Sequence, residues 1–394
     1  MKRRQLLQAI AALPLASTAT TLFAAPKDNP RLLLVFLRGG YDAANLLVPV
    51  SSDFYYASRP NIAIARPSAD LHSAVALTPE WGLHPALRES IHPLYASGQA
   101  AFIPFAGTDD TSRSHFETQD SIEMGQPDNG KRNFQSGFLN RLAATLNGID
   151  AMSFTDQLPI SMQGKEPVVN MALRSAGKQA INTRQSGIIA SMYHGTKLSQ
   201  TVSEGFTMRD EVARDMAGEM EAANRNAISA KGFESEARRI AHLMKEKYRL
   251  GFVDVGGWDT HVGEGGATGF LANRLDELSR GLVAYSQELG PAWRDTVVVV
   301  ISEFGRTFRE NGNKGTDHGH GTVYWVLGGG IKGGRVLGEQ VRVDAGTLFQ
   351  QRDYPVLNEY RATLGGLFAR MYGLNSSQLA QVFSGVRAKD IGIV

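Results

Sequence analysis

The chain contains no cysteine in its 394 residues. That absence excludes disulfides and a cysteine-borne lipid anchor, and it leaves oxygen and nitrogen as the only ligands for a bound metal. An excess of charge of either sign is also missing: 41 basic residues stand against 39 acidic ones, a formal net charge of +2. There is no basic block of the kind that marks a nucleic-acid face, so nucleic acid is not expected as a partner. Long apolar runs are absent as well. The only stretch approaching one, Leu6 to Phe23, is short and interrupted for a membrane-spanning helix, so no stable membrane anchor is expected.

The first 25 residues instead run from Lys2-Arg3-Arg4 through that apolar stretch to Ala24-Ala25. This is the basic, apolar, small-residue order of a secretory signal. The paired arginines point to the twin-arginine export machinery as a partner, although Lys2 and Leu6 depart from its usual pattern. The expected location is periplasmic or exported, with residues 26–394 as the mature protein. Loss of Lys2, Arg3 and Arg4 takes the formal charge from +2 to −1.

Apolar runs of strand length alternate with helical patterns. Leu32 to Leu37, Ala101 to Phe105, Gly251 to Val255, Val297 to Ile301 and Val323 to Leu327 read as strands; the first and the last two have the uniform apolarity of strands buried on both faces. Pro104 suits only a strand end or an edge. The pattern predicts a helix from Ala86 that Pro93 should kink or end. Leucines from Leu271 to Leu289 recur at spacings of four and three, and a further helix covers about Tyr360 to Tyr372. The predicted fold class is therefore α/β, a mostly parallel central sheet with helices on both faces. The segment 147–250 reads as a cap or helical insertion, with Met208, Val212, Met216 and Met220 as a packing stripe.

Polar residues gather where these strands end, the edge at which open α/β sheets bind ligands. They are Asp42, the run Thr111, Arg113, Ser114 and His115, then Asp254, Asp259 and His261, then Glu303 and Arg306, and finally Asp317, His318 and His320. Carboxylates and imidazoles without thiolates suit one or two divalent cations, Zn²⁺ or Mn²⁺ rather than Ca²⁺. Two ions would activate an attacking oxygen and hold a leaving one at phosphorus. Asp42 has a plainer reading as a helix cap, as do the hydroxyls near Thr111. The loop from Arg306 to Thr316 is expected to be mobile and to order over an anion held by Arg306, unless that arginine pairs with a neighbouring carboxylate.

The segments LRGGYDAANLLVP, SHFETQD, GGWDTH, SEFGRTFRENGNKGTDHGHG and LGGGIKGGRVLGE resemble the bacterial domain-of-unknown-function 1501 family, grouped with the alkaline phosphatase and sulfatase superfamily. The resemblance implies metal ligands among Asp42, Asp254, Asp259, His261, Glu303, Asp317, His318 and His320. It also implies a catalytic group drawn from Thr111, Ser114, His115, Arg113 and Arg306, with Thr111 matching the nucleophile best. The implied activity is metal-dependent hydrolysis of a small anionic phosphate or sulfate ester. Where the superfamily has Asp-His-Gly, this chain has Glu303-Phe304-Gly305, so one metal site could be lost. The alternative is a non-catalytic periplasmic binding or assembly protein on the same fold.

Overall fold

A computed structural model describes residues 30–127, 132–172, 191–200, 202 and 232–394. The signal segment and the methionine stripe fall outside the described residues. Among them no helix is long and apolar enough to cross a membrane.

The strands are β1 (Arg31–Arg38), β2 (Leu47–Val48), β3 (Val75–Ala76), β4 (Gly82–Leu83), β5 (Ala100–Gly107), β6 (Ala151–Ser153), β7 (Val169–Asn170), β8 (Leu250–Gly256), β9 (Thr296–Ser302), β10 (Thr322–Leu327), β11 (Arg335–Val336) and β12 (Asn358–Glu359). Nine of them form one sheet in the order β11-β5-β10-β9-β1-β8-β6-β7, with β12 also beside β5; β2, β4 and β3 form a small second sheet. β1 lies between β8 and β9 and is parallel to both. Its uniform apolarity has a simple cause. Leu33, Val35 and Leu37 enter one core, whereas Leu32, Leu34 and Phe36 enter the other.

Helices Phe233–Glu246 and Phe270–Leu289 supply Ile240, Met244, Leu275 and Leu282 to the first core. Helices Phe138–Thr145 and Tyr360–Tyr372 supply Leu139, Leu142, Leu364 and Phe368 to the second. Fully burying one such side chain contributes about 1.5–3 kcal/mol, so these two layers carry most of the favourable free energy. Helix Phe233–Glu246 thus covers the sheet rather than capping the site.

Three expectations need correction. β10 is not parallel: it runs antiparallel to both β9 and β5, because a direct loop rather than a crossover returns the chain. Pro93 neither kinks nor ends a helix. The break falls before it, and Pro93 occupies the first turn of helix Ile91–Ala96, where a missing N–H costs little. Pro104 lies inside β5, where the pairing with β10 shifts register between Thr322 and Tyr324 and Phe105 takes φ +54°. The bulge removes the need for a ladder donor there.

The antiparallel turn of β10 has a functional consequence. The carboxyl ends of β1, β5, β8 and β9 and the amino end of β10 share one edge, so five separate segments deliver side chains to the same place.

Candidate metal centre

Three imidazoles meet at this edge. His115 opens helix His115–Met124 just after β5, capped by Ser114, whose hydroxyl accepts from the Glu117 N–H. His261 follows β8, and His318 precedes β10. Their Nε2 atoms face one carboxylate, that of Asp259. The His261 nitrogen is 2.9 Å and the His318 nitrogen 3.4 Å from Oδ1, and the His115 nitrogen is 3.6 Å from Oδ2. His261 Nε2 and His318 Nε2 are 3.1 Å apart. His115 Nε2 is buried without a hydrogen-bond partner.

The opposite ring nitrogens are each held by an acceptor. His115 Nδ1 is 2.9 Å from Glu303 Oε1, His261 Nδ1 3.1 Å from Asp317 Oδ1, and His318 Nδ1 3.0 Å from the Arg113 carbonyl oxygen. Burial alone would push the Glu303 carboxyl up, but hydrogen bonds from His115, Gln119 and the Gly39 N–H bring it below its ordinary range. Burial likewise works to push the Asp317 carboxyl up, but hydrogen bonds from Asn311 and His261 hold it below its ordinary range. Ionised carboxylates and a carbonyl can only accept, so each imidazole donates from Nδ1, and in its neutral form each ring turns an Nε2 lone pair inward. Burial is the chief cause that lowers the His318 pKa, which favours the neutral ring.

Three lone pairs and a carboxylate facing one point repel one another unless a cation lies among them. His115, Asp259 and His318 place ligand atoms within 4.8 Å of one another; His261 lies outside that group but beside two of its members, its Nε2 2.9 Å from Asp259 and 3.1 Å from His318 Nε2. Three nitrogens and one oxygen suit Zn²⁺ or Mn²⁺. The outer partners Glu303, Asp317 and the Arg113 carbonyl are the groups expected behind metal-bound histidines. Asp259, His261 and Asp317 side chains are 46%, 41% and 52% exposed, so the centre opens to solvent on their side. Phe304, buried, closes the inner side with its ring 4.9 Å from that of His115 and 5.1 Å from that of His318.

The remaining candidates stand elsewhere. Asp42 caps helix Ala43–Leu46 and is held by the Arg59 guanidinium, so both its oxygens are engaged away from the histidines. Asp254 pairs with Arg38 at 2.7 Å. His320 stacks on Phe349 at 4.8 Å. Thr111 lies exposed on the link between β5 and its helix, and Ser114 is spent on the helix cap. Arg113 is locked to Asp353 at 2.6 Å. The Arg306 guanidinium is wholly buried and donates to Asp259 and to the backbone carbonyls of Gly39, Gly40, Thr316 and Trp258. Its partner carboxylate is Asp259, not Glu303. Although burial works against ionisation of Asp259, the hydrogen bond and charge of Arg306 hold that carboxyl below its usual range. The loop after Arg306 is also better anchored than its composition suggested. Phe308 is buried and stacks on Phe54 at 5.2 Å, which leaves residues 312–314 as the exposed tip.

Sequence reasoning missed Gln119, Arg59 and Glu264. Gln119 lies one helical turn after His115, a spacing that puts both on one face. Its Nε2 donates to Glu303 at 2.8 Å while its Oε1 accepts from Arg38 at 2.9 Å. Arg38 also borders a cleft of about 620 Å³ lined by Glu123, Asp156 and Asp254.

Gly305 joins the Glu303 and His318 segments. Its N–H donates to the His320 carbonyl at 2.9 Å and its own carbonyl accepts from Gly319 at 2.8 Å. A Cβ here would lie 2.0 Å from the Gly321 carbonyl oxygen. Gly305→Ala is therefore expected to destabilise the fold by more than about 1–3 kcal/mol and to weaken metal binding together with it. Denaturant unfolding with and without metal checks this, and an unchanged midpoint would contradict it.

The family described as "Protein of unknown function (DUF1501)" matches residues 29–383. No curated protein matches the chain. Similar solved structures include a protein in the alkaline phosphatase superfamily from Vibrio parahaemolyticus, at 12% identity over 85% of this chain and 71% of that one, TM-score 0.36. Another is the lipoteichoic acid synthase LtaP from Listeria monocytogenes, at 9% identity over 99% and 81%, TM-score 0.38. A third is the PsFucS1 sulfatase from Pseudoalteromonas sp., at 13% identity over 85% and 68%, TM-score 0.35. Scores of this size make all three distant likenesses.

Proposed function

The chain belongs to the DUF1501 family, and from that premise we propose that it is an exported metal-dependent hydrolase of small phosphate or sulfate esters, working with a single divalent ion. The observation that carries this reading is the convergence of three Nδ1-anchored imidazoles on the Asp259 carboxylate. His115, His261, His318 and Asp259 would hold the ion. When bound, it supplies Lewis acidity, polarising an ester oxygen and making a water more acidic.

The chain's own residues do the rest. Glu303, Asp317 and the Arg113 carbonyl fix the imidazole tautomers, and Arg306 keeps Asp259 charged. Substrate and water enter over Asp259 and His261, the open side. Phe304 excludes water from the inner side and occupies the place where a second ion would need a ligand. Export by the twin-arginine route belongs to the same proposal, carried by the Lys2 to Ala25 pattern.

A second reading is favoured by three particulars: Phe304 at the inner wall, Arg113 paired with Asp353, and Arg306 buried against Asp259 and backbone carbonyls. On it the chain is a periplasmic binding or assembly protein that retains one structural ion. Elemental analysis of the purified mature protein, joined to a screen of p-nitrophenyl phosphate and sulfate, separates the two. About one equivalent of zinc or manganese with chelator-sensitive hydrolysis of either ester supports the hydrolase. Metal without hydrolysis supports the binding protein. A chain that neither retains nor takes up metal would sink both.

A further inference from the structure

We propose that Glu264 is a positioning residue for the metal centre, a buried carboxylic acid that fastens together the two loops bearing His261 and His318. This rests on the metal-centre reading and concerns how that centre is held in shape.

Glu264 is fully buried, three residues after His261. Its Oε2 accepts from the Thr260 hydroxyl at 2.8 Å and from the Thr316 hydroxyl at 2.9 Å. Thr260 lies between Asp259 and His261, and Thr316 lies two residues before His318. One carboxyl oxygen thus ties both ligand-bearing segments, and the Thr316 N–H adds a bond to the Thr260 carbonyl at 3.0 Å. The loops touch closely enough that a Cβ on Gly315 would lie 2.4 Å from the His261 carbonyl oxygen. The Glu264 backbone is itself fixed. Its N–H donates to the Lys314 carbonyl at 2.9 Å, and its carbonyl accepts from Leu271 at 3.1 Å at the start of helix Phe270–Leu289.

The other oxygen, Oε1, meets no donor, and Asp42, itself fully buried, is near enough for its charge to act on the Glu264 carboxyl. Two carboxyl groups can share such a contact only if one carries a proton. Arg59 decides which. Its Nη1 and Nη2 both reach Asp42, and its remaining donors go to Asn45 and to the carbonyls of Phe308 and Thr307, so Asp42 is the ion. Glu264 keeps only the two threonine hydroxyls as hydrogen-bond donors to its carboxyl. Burial and the adjacent Asp42 charge push its pKa well up, in agreement with that arrangement. Asp42, the first-strand acid, therefore serves the histidine centre from behind, through Glu264, without reaching it.

Three variants of the full mature chain test this: Glu264→Gln, Glu264→Leu, and the double change Thr260→Val with Thr316→Val. The readouts are cobalt(II) affinity by visible absorption, the shape of that absorption band, and circular dichroism of the chelator-treated protein. Glutamine is neutral, accepts with its oxygen and donates with its amide, so Glu264→Gln is expected to hold cobalt within about threefold of the parent with the same band. Groups behind metal ligands typically cost about 10–100-fold in affinity when removed, and that loss with an altered band is expected for Glu264→Leu and for the double variant. The double variant keeps Glu264 and so remains informative where the leucine variant fails to fold. Wild-type affinity in either disruptive variant, folded by circular dichroism, would overturn the proposal. So would loss of affinity in Glu264→Gln equal to that of the leucine variant. If the parent itself takes up no cobalt, it is the metal-centre reading that fails.

Discussion

Replacing His318 with alanine is expected to weaken divalent metal binding by more than about 100-fold, the upper end of what loss of a group merely behind a ligand costs. His318 lies beside every other member of the centre. Its Nε2 is 3.1 Å from that of His261 and 3.4 Å from Asp259, and its ring centroid is 4.2 Å from that of His115. Its removal leaves the remaining imidazoles without the third nitrogen and also frees the Arg113 carbonyl. In the chelator-treated protein the same change should matter little or even stabilise, because it removes one of the mutually repelling lone pairs. Titration with zinc by calorimetry, beside unfolding in chelator, measures both halves of this expectation. Parent-like zinc affinity in His318→Ala would mean that the ion, if any, is held elsewhere. A matching replacement of His320, which stacks on Phe349 instead, should leave zinc affinity within about threefold of the parent.

The contrast between His318 and His320 marks how far the sequence could be read. The strands were legible because β1 and β9 are buried on both faces, which leaves continuous apolar runs. Helix Phe270–Leu289 was legible because its leucines line one face. The functional edge was legible too, since polar residues recurred at strand ends. What spacing could not supply was the direction of each side chain. In Asp317-His318-Gly319-His320 the chain is irregular, with Arg306 paired to His318 as an isolated bridge, and neighbouring histidines turn to different surroundings. His115 resembled a member of a hydroxyl-rich helix start, yet it is a ligand candidate because the helix points its first turn at Glu303. Asp42 and Arg306, singled out from the sequence as site residues, each form an ion pair in the structure. Their partners, Arg59 and Asp259, are 17 and 47 positions away in sequence, a pairing only the fold creates.

The buried Asp42–Arg59 pair leads to the other large effect. Arg59→Met is expected to lower the unfolding free energy by about 3–5 kcal/mol at neutral pH, since methionine fills much of the space but leaves a carboxylate buried without its cation. Both side chains are essentially inaccessible, at 0% and 1% exposure, so solvent cannot take over the missing role. The pH dependence follows from the direction of the Asp42 shift. Burial alone would push that carboxyl up, but Arg59 holds it below the ordinary range. A carboxyl depressed in the folded state adds stability that is present above its unfolded pKa of about 3.9 and is lost as pH falls through the lower folded value. Without Arg59 the shift reverses, and Asp42 takes up a proton in the folded protein before it does so in the unfolded chain. The deficit of Arg59→Met should therefore be greatest at neutral pH and shrink as pH falls towards about 4. Urea unfolding of parent and variant across that range measures it. A deficit that stayed constant with pH would assign Arg59 to packing, through its contacts with Tyr55 and Phe308, and not to the charge of Asp42.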